Sequence, residues 1–205
     1  MSDLVVVDDF YSDPEKVRQF ALLNSTWLEQ GALEPDFAGT ESRQCFYSDP
    51  IVERLRRLVG HDIDYDPRSF AFGAFAVASV RDQGRRHVHL DPAEYTALIY
   101  LTPDQLCRGG TTMYRHRATG LSGLPDADFA QRAGHSSPSA YYKAVIEPDA
   151  RNHKAWDEDI SVEMKFNRLL IFKAGSMFHC ADSYFGNTIS DSRLLQIFFF
   201  NRKSS

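Results

Sequence analysis

From residue 69 to residue 201 the period changes: outside about 117–159 the apolar residues come in short runs, several of them bounded by Gly, Pro, Asp or Ser, and that pattern suits strands. The first run is Ser69 to Val80, SFAFGAFAVASV. Strand patterns follow at Glu94 to Thr102, Gly110 to His116, Ile160 to Phe166, Arg168 to Phe172, Ser176 to Cys180 and Leu194 to Phe200. Fifteen Phe and nine Tyr predict an aromatic core that fits a packed β architecture. The chain before residue 69 reads differently. Leu4 to Val7 is a short strand, and Ser12-Asp13-Pro14-Glu15 opens a helix to about Asn24, with a capping group and a proline in its first turn. Tyr-Ser-Asp-Pro recurs at Tyr47 to Pro50 and opens a second helix through Val59, stopped by Gly60.

Two helices followed by about eight strands predict a mainly β fold with flanking helices, a double-stranded β-helix (jelly roll, cupin-like). At 205 residues and 43% hydrophobic content, one core is expected. The expectation is a single domain over 1–205: N-terminal helical support over 1–68 and a jelly-roll core over 69–201. The stretch of about 117–159 is rich in Gly, Pro, Ser and Asp, and reads as a partly helical insertion or lid.

A net charge of −5 gives no reason to expect nucleic acid as a partner. No apolar run is long enough to cross a membrane, and Met1 to Asp9 has no basic leader. Three cysteines, Cys45, Cys107 and Cys180, show no metal-type spacing, so a reducing cytoplasm is the expected compartment. The sequence leaves the oligomeric state open.

His89-Leu90-Asp91 stands at an expected strand end, where residues two apart turn to the same face. An imidazole and a carboxylate so placed can take two adjacent corners of an octahedral metal. A second imidazole completes a facial triad with three positions open. By itself His-x-Asp is a weak signal, but its order with later segments is specific. EYTALIYLTP at Glu94 to Pro103 comes next, and then Gly109-Gly110-Thr111-Thr112-Met113-Tyr114. Arg168 to Phe172, a Gly-containing turn and His179 follow, with Arg193 heading the last apolar strand.

In these motifs, over residues 69 to 201, the chain resembles the prolyl-4-hydroxylase-like branch of the 2-oxoglutarate/Fe(II) dioxygenases. The resemblance implies His89, Asp91 and His179 as ligands of Fe(II). It implies Arg193 as the cation that pairs with the distal carboxylate of 2-oxoglutarate, and Tyr100 as a hydroxyl that bonds the same group. Dioxygen is the third reactant. Two departures stand out: a longer His179-to-Arg193 spacing, and Thr102 and Tyr114 where the family usually has Asn or Asp and Phe. The implied reaction is hydroxylation of an unactivated carbon of an amino acid, a peptide or a natural-product intermediate, with desaturation or cyclisation as variants.

Other residues carry competing readings. His87 shares a face with His89 and offers a cupin-type site of His87, His89 and His179 that needs no 2-oxoglutarate. A non-catalytic jelly-roll binding module is the third alternative. Arg115 and His116 either grip an acidic substrate or form a solvated basic turn. Cys180, opposite the His179 face of its strand, reads as an apolar filler.

Overall fold

The strand Arg193–Arg202 is the axis of the molecule, because its residues alternate between two hydrophobic layers. Leu194, Phe198 and Phe200 belong to one buried cluster, and Leu195 and Ile197 to another. That alternation defines a sheet buried on both faces. The computed structural model describes residues 3–29, 38–66 and 71–204. In chain order the elements are β1 (Leu4–Val7), α1 (Pro14–Asn24), β2 (Thr40–Cys45), α2 (Asp49–Val59), β3 (Ile63–Asp64), β4 (Phe72–Ala78) and β5 (Tyr95–Tyr100). They continue with β6 (Gly110–His116), α3 (Ala127–Arg132), α4 (Pro138–Tyr141), β7 (Trp156–Glu163), β8 (Leu169–Phe172), β9 (His179–Ala181) and β10 (Arg193–Arg202).

The larger sheet runs β1-β8-β5-β10-β4-β2, with β3 joined to β10, and the smaller runs β7-β6-β9. All the pairings are antiparallel. Met113 and Val162 of the small sheet pack with Ala76, Leu98, Tyr100, Leu170, Phe172, Leu195 and Ile197 of the large one. The inner faces of the two sheets therefore meet, as the expected jelly roll requires.

The outer face of the large sheet is covered by the helices. α2 turns Val52, Leu55 and Val59 inward as one stripe, and Gly60 ends it at φ 70 with its N–H donating to the Arg56 carbonyl at 2.7 Å. α1 is capped by Asp13, whose Oδ1 accepts from the Lys16 N–H at 3.1 Å. Its Arg18 is buried and donates to the Leu101 and Ser190 carbonyls at 2.9 and 2.6 Å. These hydrogen bonds tie the helix to the sheet where β5 and β10 approach the cavity.

Three expectations need correction. The segment 1–68 is more than helical support, since β1 pairs with β8 and β2 pairs with β4 inside the main sheet. Thr-Glu-Ser-Arg-Gln-Cys carries no apolar alternation, so only its partner strand makes it β. The last part of the insertion is already strand, because β7 begins at Trp156. Its Asp157-Glu158-Asp159 face solvent and are ordered by pairing with β6. Finally, the insertion is not a lid. Ala130, Tyr141 and Ile146 pack with Tyr114, Trp156 and Phe178 on the outside of the small sheet. Ser69 and Phe70, the head of the expected first core strand, lie outside the described residues, as do Met1 and Ser2.

Gly39 fixes how β2 meets β4. Its φ is 90, and a Cβ there would stand 2.1 Å from the Val77 carbonyl oxygen. Gly39→Ala is expected to lower the unfolding free energy by roughly 2 kcal/mol or more, read from urea denaturation, because strain and a backbone clash act together. An unchanged midpoint would mean that β2 is not held as described.

Candidate metal centre

His89 and His179 face each other across an isolated antiparallel bridge. Each backbone N–H donates to the other's carbonyl at 3.0 Å. Such a pair turns both side chains to one side. Asp91, two residues on, is anchored by its N–H to the Ala174 carbonyl at 3.1 Å. Arg86 to Asp91 is thus not a full strand, but this one bridge gives the two-residue offset its effect. One donor atom from each of His89, Asp91 and His179 lies within 4.8 Å of the others. The His89 Nε2 is 3.5 Å from Asp91 Oδ1, and the His179 Nε2 is 3.4 Å from Asp91 Oδ2.

The outward nitrogens are set by the backbone. His89 Nδ1 stands 3.0 Å from the His87 carbonyl oxygen and His179 Nδ1 2.8 Å from that of Met177. A ring nitrogen facing a carbonyl must carry the proton, so Nε2 is the atom each ring has left to offer a metal, and without one it faces the Asp91 carboxylate. Thr96 donates its hydroxyl to Asp91 Oδ2 at 2.5 Å and fixes the carboxylate plane. Burial would raise the Asp91 carboxyl, but the charge and hydrogen bonds of His179 and His89 outweigh it and hold it well below the usual carboxylate range. Burial lowers the His89 imidazole, and Asp91 together with the His87 carbonyl more than reverses that. Two imidazole nitrogens and one ionised carboxylate, each oriented by a second hydrogen bond, suit a divalent transition metal. His87 stands beside His89, with ring centroids 4.9 Å apart, but its Nδ1 meets the Arg85 carbonyl and it is not in the cluster.

A cavity of about 500 Å³ opens beside the three residues. Leu98, Phe172, Leu195, Ile197 and Phe199 form an apolar wall, and Arg193 and Thr111 reach it from β10 and β6. Arg193 is 2% exposed. Its guanidinium donates to Thr111 Oγ1 at 3.1 Å and to Met164 Sδ at 3.6 Å, and lies 5.2 Å from the centre of the Tyr100 ring. No carboxylate among the described residues pairs with it. A buried cation without a counter-charge is costly, and an anionic ligand removes the cost.

Tyr100 is fully buried, and its hydroxyl meets Thr111 Oγ1 at 2.9 Å. It is therefore linked to the cavity through Thr111 and Arg193. Arg115 and His116 stand apart from the cavity. Arg115 pairs with Asp159 at 3.1 Å on the surface. The wholly buried His116 meets Thr119 at 3.0 Å and Asp149 at 3.1 Å. Alternation along β6 sends Thr111 and Met113 inward, and pairing with β7 commits Arg115 to an acidic neighbour. Cys180 packs in the outer cluster, away from the metal cluster.

Sequence reasoning missed Glu41, Thr96 and Thr111. Thr111 lay within the quoted Gly-Gly-Thr-Thr segment, and Thr96 is five residues after Asp91. Glu41 had no local signal. It lines the cavity from β2 and is 6% exposed. Burial, with the Asp91 charge second, pushes its carboxyl up to about 7. The unfolded chain holds fewer protons than the folded one between the ordinary value of 4.5 and about 7, so stability falls as pH rises through that window. Glu41→Gln is expected to stabilise the metal-free protein by about 3 kcal/mol at pH 8. The gain should vanish near pH 4.5, as followed by urea denaturation. A gain that is independent of pH would contradict this account.

Among the described residues no helix is long and apolar enough to cross a membrane. None of the curated proteins matches the sequence. The solved structures that resemble the chain include these three. The non-heme alpha-ketoglutarate-dependent epimerase SnoN from nogalamycin biosynthesis is 12% identical, with a TM-score of 0.49 over 97% of this chain and 76% of that one. A Pseudomonas putida prolyl-4-hydroxylase is 12% identical, with a TM-score of 0.46 over 98% of this chain and 94% of that one. HygX from Streptomyces hygroscopicus, solved with nickel and 2-oxoglutarate, is 11% identical, with a TM-score of 0.46 over 98% and 84%. A family model matches residues 1–193, and the chain belongs to that family, the family of unknown function DUF6445.

Proposed function

We propose that the protein is a non-haem Fe(II) oxygenase that uses 2-oxoglutarate and dioxygen to hydroxylate an unactivated carbon of a small molecule or peptide. The observation that carries the reading is a pairing within one cavity. A two-His, one-carboxylate cluster stands at its wall, and a buried guanidinium with no anionic partner among the described residues lies beside it. His89, Asp91 and His179 would hold the iron. Bound there with 2-oxoglutarate, the metal supplies the activation of dioxygen.

The chain's own residues bind, orient and exclude water. The carbonyls of His87 and Met177 keep both imidazoles in the ligating tautomer, and Thr96 holds the carboxylate. Arg193 offers its two-pronged donor to the distal carboxylate of 2-oxoglutarate, and the Thr111 hydroxyl beside it offers a further bond. Tyr100 supports that pair from beneath with its ring and reaches it through Thr111. The wall of Leu98, Phe172, Leu195, Ile197 and Phe199 keeps the reacting centre dry, which strengthens every charge interaction inside it.

The test is anaerobic addition of Fe(II) and then 2-oxoglutarate to the metal-free protein. A visible metal-to-ligand charge-transfer absorption is expected. On admitting oxygen with a substrate, succinate should appear in step with gain of one oxygen atom by the substrate. A well-folded protein that gives no such absorption would remove 2-oxoglutarate from the reading. Iron-dependent oxygen uptake that ignores 2-oxoglutarate would favour the cupin-type alternative.

A further inference from the structure

We infer that the cavity takes a substrate bearing a protonated amine or guanidinium, and that Glu41 is the residue that reads this charge. The inference rests on the oxygenase reading for the chemistry that follows binding, but the recognition of the cation does not.

Glu41 is a carboxyl group buried in the wall of a mostly apolar cavity. Among the described residues no group donates a hydrogen bond to its side chain and no cation pairs with it. Its backbone is held firmly. The Glu41 carbonyl accepts from the Leu28 N–H at 2.8 Å, and Trp27 bridges Ser42 on one flank. On the other flank Glu41 is the register partner of Ala76 in β4. The side chain is therefore aimed into the cavity by two neighbours and does not drift at a free edge. Burying such a group with nothing to satisfy it costs stability, which is the usual mark of a site kept for a ligand.

The surroundings select the kind of ligand. A carboxylate buried at the cavity wall is an acceptor that needs an opposite charge. An anionic ligand group would be repelled by it, and a hydroxyl would leave its charge uncancelled. An ammonium or guanidinium supplies the opposite charge and a charge-assisted hydrogen bond. Ala38, Ala71, Ala76, Ala78 and Ala181 line the same cavity with small side chains, and Ala76 is the register partner of Glu41.

The two charged residues are separated along the sheet. Glu41 is on β2 and Arg193 on β10, with β4 between them, a gap of two strand spacings or roughly 10 Å. Register adds a further offset, since Glu41 faces Ala76 and Arg193 faces Ala78. A dicarboxylate and a cationic substrate are thereby sorted to different ends of one cavity and presented to the same three ligating residues.

The test uses matched pairs of probes of nearly equal shape: benzylamine with benzyl alcohol, cyclohexylmethylamine with cyclohexylmethanol, and 1,5-pentanediamine with 1,5-pentanediol. Affinities are measured by calorimetry at pH 8 with the whole protein. Each is taken metal-free and again with Fe(II) and 2-oxoglutarate in the absence of oxygen. The wild type is expected to prefer the amine in at least one pair by about tenfold or more. Glu41→Gln, which keeps the shape and removes the charge, should lose that preference, and Glu41→Ala should lose it as well. Equal affinities within every pair, no binding of any amine, or a preference that survives both substitutions would overturn the assignment. The charge-transfer absorption is recorded on the same samples. If it is present while the preference is missing, the Glu41 assignment alone fails. If it is absent from the wild type, the oxygenase reading fails, and the amine preference is judged by its own result.

Discussion

Asp91→Ala is expected to leave a folded protein that binds Fe(II) more than about 100-fold more weakly and shows no charge-transfer absorption with 2-oxoglutarate. Groups that merely orient a metal ligand are worth about 10–100-fold in affinity, and Asp91 is one of three donors, so its loss must cost more. The variant keeps only the two imidazole donors, and alanine offers no ligand atom in the third position. Folding should tolerate the change, because Asp91 is anchored through its backbone N–H to Ala174, a bond that alanine keeps. Calorimetric titration with Fe(II) under argon, with circular dichroism as a check on folding, measures both quantities. Retained affinity in a folded variant would mean that the cluster does not hold the metal. Thr96→Val is the graded companion. It removes only the hydroxyl that fixes the carboxylate, and a loss at the lower end of that range is expected.

Arg193 should produce the second large effect, with opposite signs in two assays. Arg193→Met is expected to weaken 2-oxoglutarate binding by about 100-fold or more, because truncating one partner of a buried charged pair costs about 2–5 kcal/mol. In the metal-free protein without ligand the same substitution should raise the melting temperature. There the guanidinium is buried with a hydroxyl, a thioether and a ring as its partners among the described residues, and a well-packed apolar side chain avoids its desolvation. Arg193→Lys retains a charge but not the fork, and should fall between the two in affinity. A variant that binds 2-oxoglutarate as wild type does would assign the cavity to a different anion or to none. Tyr100→Phe separates the ring from the hydroxyl. It removes only the bond to Thr111, so the loss of 2-oxoglutarate affinity should stay within about tenfold.

How much of this was legible in the chain depended on how local the cause was. α2 could be read to its last residue, because its start signal, its apolar stripe and the left-handed Gly60 all lie within it. β5, β8 and β10 were legible because alternate residues feed two different buried layers and so are apolar at most positions. β2 was not legible, since Thr-Glu-Ser-Arg-Gln-Cys has no apolar period and becomes strand only through Gly39 and the β4 backbone. β7 was legible only in part, since the acidic run Asp157 to Asp159 reads as loop until β6 pairs with it. The same limit explains the missed Glu41. A carboxylate in a polar segment is ordinary in sequence, and its burial is a property of the fold alone.

His89 and Asp91 were legible as a pair from their spacing, and the resemblance carried by the later motifs implied His179 and Arg193, so the sequence determined the chemistry on offer: one carboxylate, two imidazoles and one arginine. Tertiary structure decided the rest. Only the His89–His179 bridge makes two distant segments share one point, and only the sandwich of two sheets leaves a cavity there with a cation and a carboxyl on separate strands. The physical reason is range. Periodicity and capping act over a few residues, whereas convergence, burial and the field of one charge on another depend on backbone pairings between segments scores of residues apart.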